Sequence, residues 1–244
     1  MKTLNLDRNF FLQIGLDSGS LTMHGSVLHS LREPGEYRGT VRRSDTPEAT
    51  FYITADQNSA VAHVNIDLAA LVEGGGIKED CCKDEARNRF VVNPKGYVLL
   101  HVGGGAGGYY AHIRKAAEDP KTKVWDSRNL EETDIFAGML LRPGTYSVEN
   151  VHVKGASGRI IVSYPVIYEK AYHPAKPVTL EFNSRGISPP EVKVQPGQGI
   201  NCQVKVPTRV KIALVHPDDG PMERREPAKP GWQKYRLPST SRNE

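Results

Sequence analysis

Cysteine is scarce: three occur in 244 residues, Cys81 and Cys82 side by side and Cys202 alone. Neighbouring cysteines rarely bridge each other, and an odd count suits a reducing compartment, which argues against a disulfide scaffold. A Cys-Cys pair also lacks the Cys-x-x-Cys spacing of a structural zinc half-site. Long apolar runs are missing too; none approaches the roughly eighteen residues that a membrane-crossing helix needs. The opening Met1–Arg8 carries charges where a signal peptide needs an apolar core. The expectation is a cytoplasmic chain with no membrane span. Charge of one sign is also lacking. The 32 basic and 28 acidic residues leave a net +4 and are intermixed along the chain. A nucleic-acid partner, which needs a concentrated basic face, is therefore not expected.

Turn formers are what the sequence has in quantity, with 23 glycines and 17 prolines. Together with runs of β-branched and aromatic residues they predict short strands joined by frequent turns. Ala49–Thr54 and Ala60–Asp67 alternate well, with a short helical turn predicted at Leu68–Val72. The reading divides the chain into an N-terminal β module at 1–75 and a charged linker at 76–88 containing Cys81 and Cys82. A second β module follows at 89–168, then a third β segment at 169–216, packed on the second or separate. The chain closes with a Pro-rich extended tail at 217–244. Tyr109–Asp119, rich in Ala, Arg, Lys and Glu and stopped by Pro120, predicts the one longer helix. Leu31-Arg32-Glu33-Pro34-Gly35-Glu36-Tyr37 echoes Leu140-Leu141-Arg142-Pro143-Gly144-Thr145-Tyr146, with Val194–Gln198 a looser third copy. Pro-Gly turns leading into a strand with an inward aromatic produce such an echo without duplication.

The sharpest local pattern is Gly103-Gly104-Gly105-Ala106-Gly107-Gly108. It places glycines at 103, 105 and 108 between a strand and the predicted helix, the arrangement that lets backbone amides approach a phosphate. This defines a candidate site for an anionic or phosphorylated ligand at Gly103, Gly105 and Gly108, with Tyr109, His112 and Arg114 beside it. A dinucleotide fold would need further βα units, and none follows.

The stretch Pro143–Val162 resembles the C-terminal hairpin of cupredoxins, in which a Gly-Thr-Tyr strand leads to a Cys, a His and a Met and then to a Gly-x-Ile-x-Val strand. The cysteine position falls on Asn150, the histidine on His152 and the methionine near Ser157. Gly186–Gln198 resembles a cupredoxin opening strand pair. The resemblance implies an all-β fold of two or three Greek-key β-sandwich modules, cupredoxin- or immunoglobulin-like, with one short helix and the extended tail. It implies no copper, because a blue-copper site needs the thiolate.

Eight histidines are dispersed; His101, His112 and His152, in or beside predicted elements, form a candidate metal set, although no pair has the His-x-His or His-x-x-x-His spacing. No nucleophile elbow or Cys-His context is present, and no cofactor is expected. The tail carries Trp232, Tyr235 and Leu237, isolated aromatic and apolar anchors suited to a groove on a neighbouring subunit. The leading expectation is a non-catalytic structural or accessory subunit of a larger homo- or hetero-oligomeric assembly. The alternatives are an anionic-ligand-binding protein or enzyme subunit, and a histidine-based metal-binding protein.

Overall fold

The computed structural model describes residues 12–44, 46–74, 88–116, 124–153, 155–164 and 175–218. The tail residues Trp232, Tyr235 and Leu237 and the Cys81–Cys82 pair lie outside the described residues. The described residues are mostly strand with one helix. A first run holds β1 (Gly15–Asp17), β2 (Gly25–His29), β3 (Gly35–Arg43), β4 (Thr46–Ala55), β5 (His63–Asp67), α1 (Leu68–Gly74), β6 (Arg89–Val92), β7 (Tyr97–His101) and β8 (Tyr109–Lys115). A second holds β9 (Trp125–Asp126), β10 (Ile135–Met139), β11 (Gly144–Asn150), β12 (Ser157–Val162), β13 (Val178–Asn183), β14 (Gly186–Ser188), β15 (Glu191–Val194), β16 (Gly199–Val204) and β17 (Val210–Pro217).

The expected Greek-key, cupredoxin-like sandwich modules are not what forms. The strands wind as a β-solenoid of about three turns. Their ladders close three sheets, ordered β6-β4-β3-β8-β9, β15-β12-β11-β17-β1, and a seven-stranded β14-β13-β16-β10-β2-β7-β5. The physical reason for the difference is simple. Period-two alternation says which face of a strand is buried but not which strand lies beside it, so both architectures share one sequence pattern. The hairpin behind the resemblance does exist, with β11 and β12 paired antiparallel from Gly144–Val162 to Glu149–Ser157.

The predicted helix at Tyr109–Asp119 is also corrected. Tyr109–Lys115 is strand β8, hydrogen-bonded between β3 and β9, and residues 117–119 lie outside the described ones. Burial of Tyr109, Ala111 and Ile113 outweighs a helix propensity worth only tenths of a kcal/mol per residue. The helix that forms is α1, where the short helical turn was expected.

The echo in the sequence is a structural repeat. Asp17-Ser18-x-x-Leu21, Leu31 and Pro34-Gly35-x-Tyr37 recur at one constant spacing as Asp126-Ser127-x-x-Leu130, Leu140 and Pro143-Gly144-x-Tyr146. Both tyrosines are buried and each closes its own turn, Tyr37 Oη donating to Glu33 O at 2.8 Å and Tyr146 Oη to Arg142 O at 2.7 Å. Gly35 and Gly144 have φ of 142° and 146°, a backbone state that favours glycine. The looser copy at Val194–Gln198 answers instead to Val92–Gly96, each lying between an edge strand (β15, β6) and the strand that follows it. The halves meet where β2 and β10 pair antiparallel at the centre of the seven-stranded sheet, Val27 facing Phe136. Since Phe136 is the repeat counterpart of Val27, a pseudo-two-fold axis passes between them.

Each half also lends its opening strand to the other. β1 pairs with β17, and β9 pairs with β8. Ser18 N donates to Val210 O at 2.9 Å while Val210 N donates to Ser18 Oγ at 3.0 Å. Ser127 and Ala111 repeat the exchange at 3.0 and 2.9 Å. These reciprocal bonds satisfy buried amides at the strand ends, where an orphan donor would cost about 1–3 kcal/mol.

Candidate functional site

The sequence-derived sites sit as follows. Gly103–Gly108 joins β7 to β8 and is closed by the protein itself. Gly103 N donates to Asp67 Oδ1 at 3.0 Å, and the same oxygen caps α1 by accepting from Ala69 N at 3.0 Å and Ala70 N at 3.3 Å. A Cβ at Gly103 would stand 2.2 Å from Asp67 Oδ2. An internal carboxylate thus occupies the place at the Gly103 amide that a phosphate would take. At the other end Gly108 N donates to Leu21 O at 2.8 Å, and Tyr109 makes the adjoining bridge to Leu21. Gly107, with φ 69°, passes so close to Thr22 that a Cβ would meet its Cα at 2.9 Å. Close backbone passage and left-handed φ explain the glycines.

The candidate metal histidines are not brought together. His101 ends β7 opposite Asp67, and His152 is exposed in the turn after β11. His112 Nε2 lies 3.1 Å from Asp126 Oδ2. No group of three metal-ligating side chains occurs among the described residues. Asp126 also receives the Arg128 guanidinium, Nε at 3.0 and 3.1 Å and Nη2 at 2.8 Å. Burial pushes its carboxyl pKa up, but the Arg128 hydrogen bonds and the charges of His112 and Arg128 outweigh that and hold it below the ordinary value. Arg128 stacks over Tyr110 at 4.1 Å. Cys202 is buried, and burial pushes its thiol up to about 12, which suppresses the reactive thiolate.

A site absent from the sequence reading lies where the first half meets the opening of the second. A cavity of about 430 Å³ is walled by His29, Leu31, Tyr37 and Ile113, by Arg114 and Lys115 of β8, and by Trp125 and residues 131–134. His29 Nδ1 is 2.7 Å from Asp134 Oδ1, and the imidazole stacks on Trp125 with ring centroids 4.1 Å apart. Trp125 Nε1 donates to Asp134 Oδ2 at 3.0 Å and Glu131 N to the same oxygen at 2.8 Å. Asp134, essentially buried, is therefore fully engaged, and it fixes the imidazole so that Nε2 is the nitrogen left to the cavity. Arg32 bonds Thr133 Oγ1 and the Glu132 carbonyl at the exposed rim, and Lys115 pairs with Glu33. Sequence reading missed this trio because His29 stands 105 residues from Asp134 in the chain. The signal that finds it is the repeat: at the counterpart positions of His29, Trp125 and Asp134 stand Gly138, Leu16 and Gly25.

The two outer edges differ in the same way. β6 and β15 are edge strands, each parallel to its neighbour. On β15 the outward residues are Glu191, which pairs with Arg159 at 2.7 Å, and Lys193. On β6 they are Arg89, stacked on Tyr52 at 4.9 Å, and Val91, 45% exposed.

No protein-family model, curated protein or solved structure matches the chain. Among the described residues no helix is long and apolar enough to cross a membrane.

Proposed function

We propose that this chain is a non-catalytic structural or accessory subunit of a protein assembly, joined to its neighbour by strand addition at β6. The observation that carries this reading is the contrast between the two repeat-related edges. A lysine on an edge strand opposes pairing with another chain, because burying its ammonium against a new strand is costly. β15 has that protection in Lys193, and β6 has Val91 in its place. Among the described residues nothing is paired to the outer side of β6. Its main-chain donors and acceptors therefore form a ready template, and Val91 adds an apolar contact to the incoming strand. Two copies pairing antiparallel through this edge would give a closed two-fold dimer. The test is Val91→Lys, which installs the residue the second half already carries. Sedimentation velocity of the full chain at micromolar concentration should show the assembled species shrink to the single chain. Assembly unchanged by the substitution would remove the edge from the account, and a wild-type chain that sediments alone and captures no subunit would remove the assembly.

A further inference from the structure

The cavity beside His29 is where the halves differ most in chemistry. His29, Trp125 and Asp134 stand where the second half has Gly138, Leu16 and Gly25, and the other acids of the lining differ as sharply. Glu33, Glu131 and Glu132 take the places of Arg142, Thr22 and Met23. The second half folds on the same plan with no carboxylate at any of these places. Its equivalent region is filled, Leu16 lying over Gly138 closely enough that a Cβ there would meet Leu16 Cδ1 at 2.7 Å. Arg32 and Thr133, which bond across the mouth of the cavity, have left-handed φ of 46° and 83°, and their counterparts Leu141 and His24 do not. The plan therefore requires neither the acids nor this mouth. A buried aspartate with a histidine held on it is costly to keep in place of two glycines.

We infer that this cavity binds a small organic cation, a primary ammonium group on an apolar body. The volume, about 430 Å³, lies in the range that holds a small organic ligand. Leu31, Tyr37, Ile113 and Trp125, all buried, supply apolar wall for the body. His29, its side chain 12% exposed, is held through Nδ1 by Asp134, which also accepts from Trp125 Nε1 and Glu131 N. The Nδ1 proton is thereby committed, and Nε2 meets the cavity as an acceptor. An acceptor there calls for a ligand N–H. The lining sets the charge of that ligand. Lys115 and Glu33 neutralise each other, and Arg32 is turned to Thr133 and the Glu132 carbonyl at the rim. The Glu132 carboxylate, exposed at the mouth, forms no ion pair or hydrogen bond with any described residue. An ammonium group has three donors and satisfies an imidazole nitrogen and a carboxylate at once, where an anion would be repelled. A metal ion is a poorer match, because no group of three metal-ligating side chains occurs among the described residues.

The test is isothermal titration of the full-length chain with hexylamine, phenethylamine, hexan-1-ol, hexanoate and calcium chloride, repeated on His29→Gly and Glu132→Met. Both substitutions install the residue that the other half carries at the equivalent place, so the fold has a precedent for each. Thermal unfolding confirms that each variant is folded before titration. The expected result is saturable binding of hexylamine or phenethylamine, about tenfold tighter than the alcohol, with no heat from hexanoate. His29→Gly should weaken amine binding about tenfold and Glu132→Met several-fold. Hexanol or hexanoate binding as tightly as the amines, calcium binding more tightly than either amine, amine binding indifferent to both substitutions, or no heat from either amine up to millimolar concentration would each overturn the assignment.

Discussion

Asp17 and Asp126 occupy the same place in the two halves, and each is gripped by an arginine that comes from a different place. In the second half's sheet the guanidinium is Arg209, rising from the start of β17 to Asp17 with Nε and Nη2 at 3.1 and 2.9 Å. Gly19 makes room for it, since a Cβ there would meet Arg209 Nε at 2.4 Å. In the first half's sheet the position of Gly19 is Arg128 and that of Arg209 is Tyr110, over which Arg128 lies. Arginine and its small or flat neighbour have exchanged places, and the carboxylate is bound either way. The core does the same. Gly39 faces Phe51 across β3 and β4, and Val148 faces Gly158 across β11 and β12. Both pairs fill their space, with the bulk on opposite strands. What the fold requires is a filled volume and a satisfied charge; which residue provides it is free to vary. Differences that are not compensated in this way, the His29 cavity and the Val91 edge, are where function is to be sought.

That comparison can be broken most forcefully at its axis. Phe136→Ala empties a fully buried site where β10 meets β2 and should cost about 3–5 kcal/mol. Because the seven-stranded sheet runs through both halves, chemical denaturation should still show one transition; two separated transitions would mean that the halves fold independently. The exchange of bulk predicts non-additivity. Gly39→Val alone drives a side chain into Phe51, where even a Cβ would stand 2.1 Å from the ring, and Phe51→Gly alone leaves a void. The double variant copies Val148 and Gly158 and should be less destabilised than the sum of the single costs by about 1–3 kcal/mol.

The carboxylates sharpen the comparison further. Asp126→Asn should cost about 1–3 kcal/mol by weakening hydrogen bonds to Arg128, and Asp17→Asn a similar amount through Arg209. The pH dependence has a definite sign. The Asp126 pKa is lower folded than unfolded, so its stabilisation is present above the ordinary carboxylate pKa and disappears as pH falls through the folded value. Wild type should therefore lose stability below about pH 4 more steeply than Asp126→Asn. Cys202 stands where the first half has Leu100. In a Cys81→Ser/Cys82→Ser background, its thiol should stay unreactive toward a disulfide reagent at pH 8 until the protein unfolds. Its raised pKa, about 12, means that stability falls as pH climbs past the ordinary thiol value, because the unfolded chain ionises first.

The turn chemistry of the fold was legible in the sequence. Pro34-Gly35-x-Tyr37 and Pro143-Gly144-x-Tyr146 announce a turn and an inward tyrosine, and both are found. Pairing was not legible, since β1 crosses to β17 over a sequence separation that no local pattern encodes. Tyr109–Lys115 reads as helix by composition and becomes strand by its neighbours. The glycine run was visible but ambiguous, because close packing on Thr22 and approach to a phosphate demand the same residue. His29, Trp125 and Asp134 were individually unremarkable; only alignment of the halves exposes them as polar residues standing in for glycine and leucine.

The most direct measurement of the account is native mass spectrometry of the wild-type chain beside Val91→Lys. The substitution lies on an exposed position and should alter the stability of the single chain by no more than about 0.5 kcal/mol. The account predicts that wild type carries at least twice the mass of the 27.0 kDa chain, or the chain plus a partner subunit, and that Val91→Lys returns it to one chain. Equal masses for the two proteins, assembled or single, would contradict it.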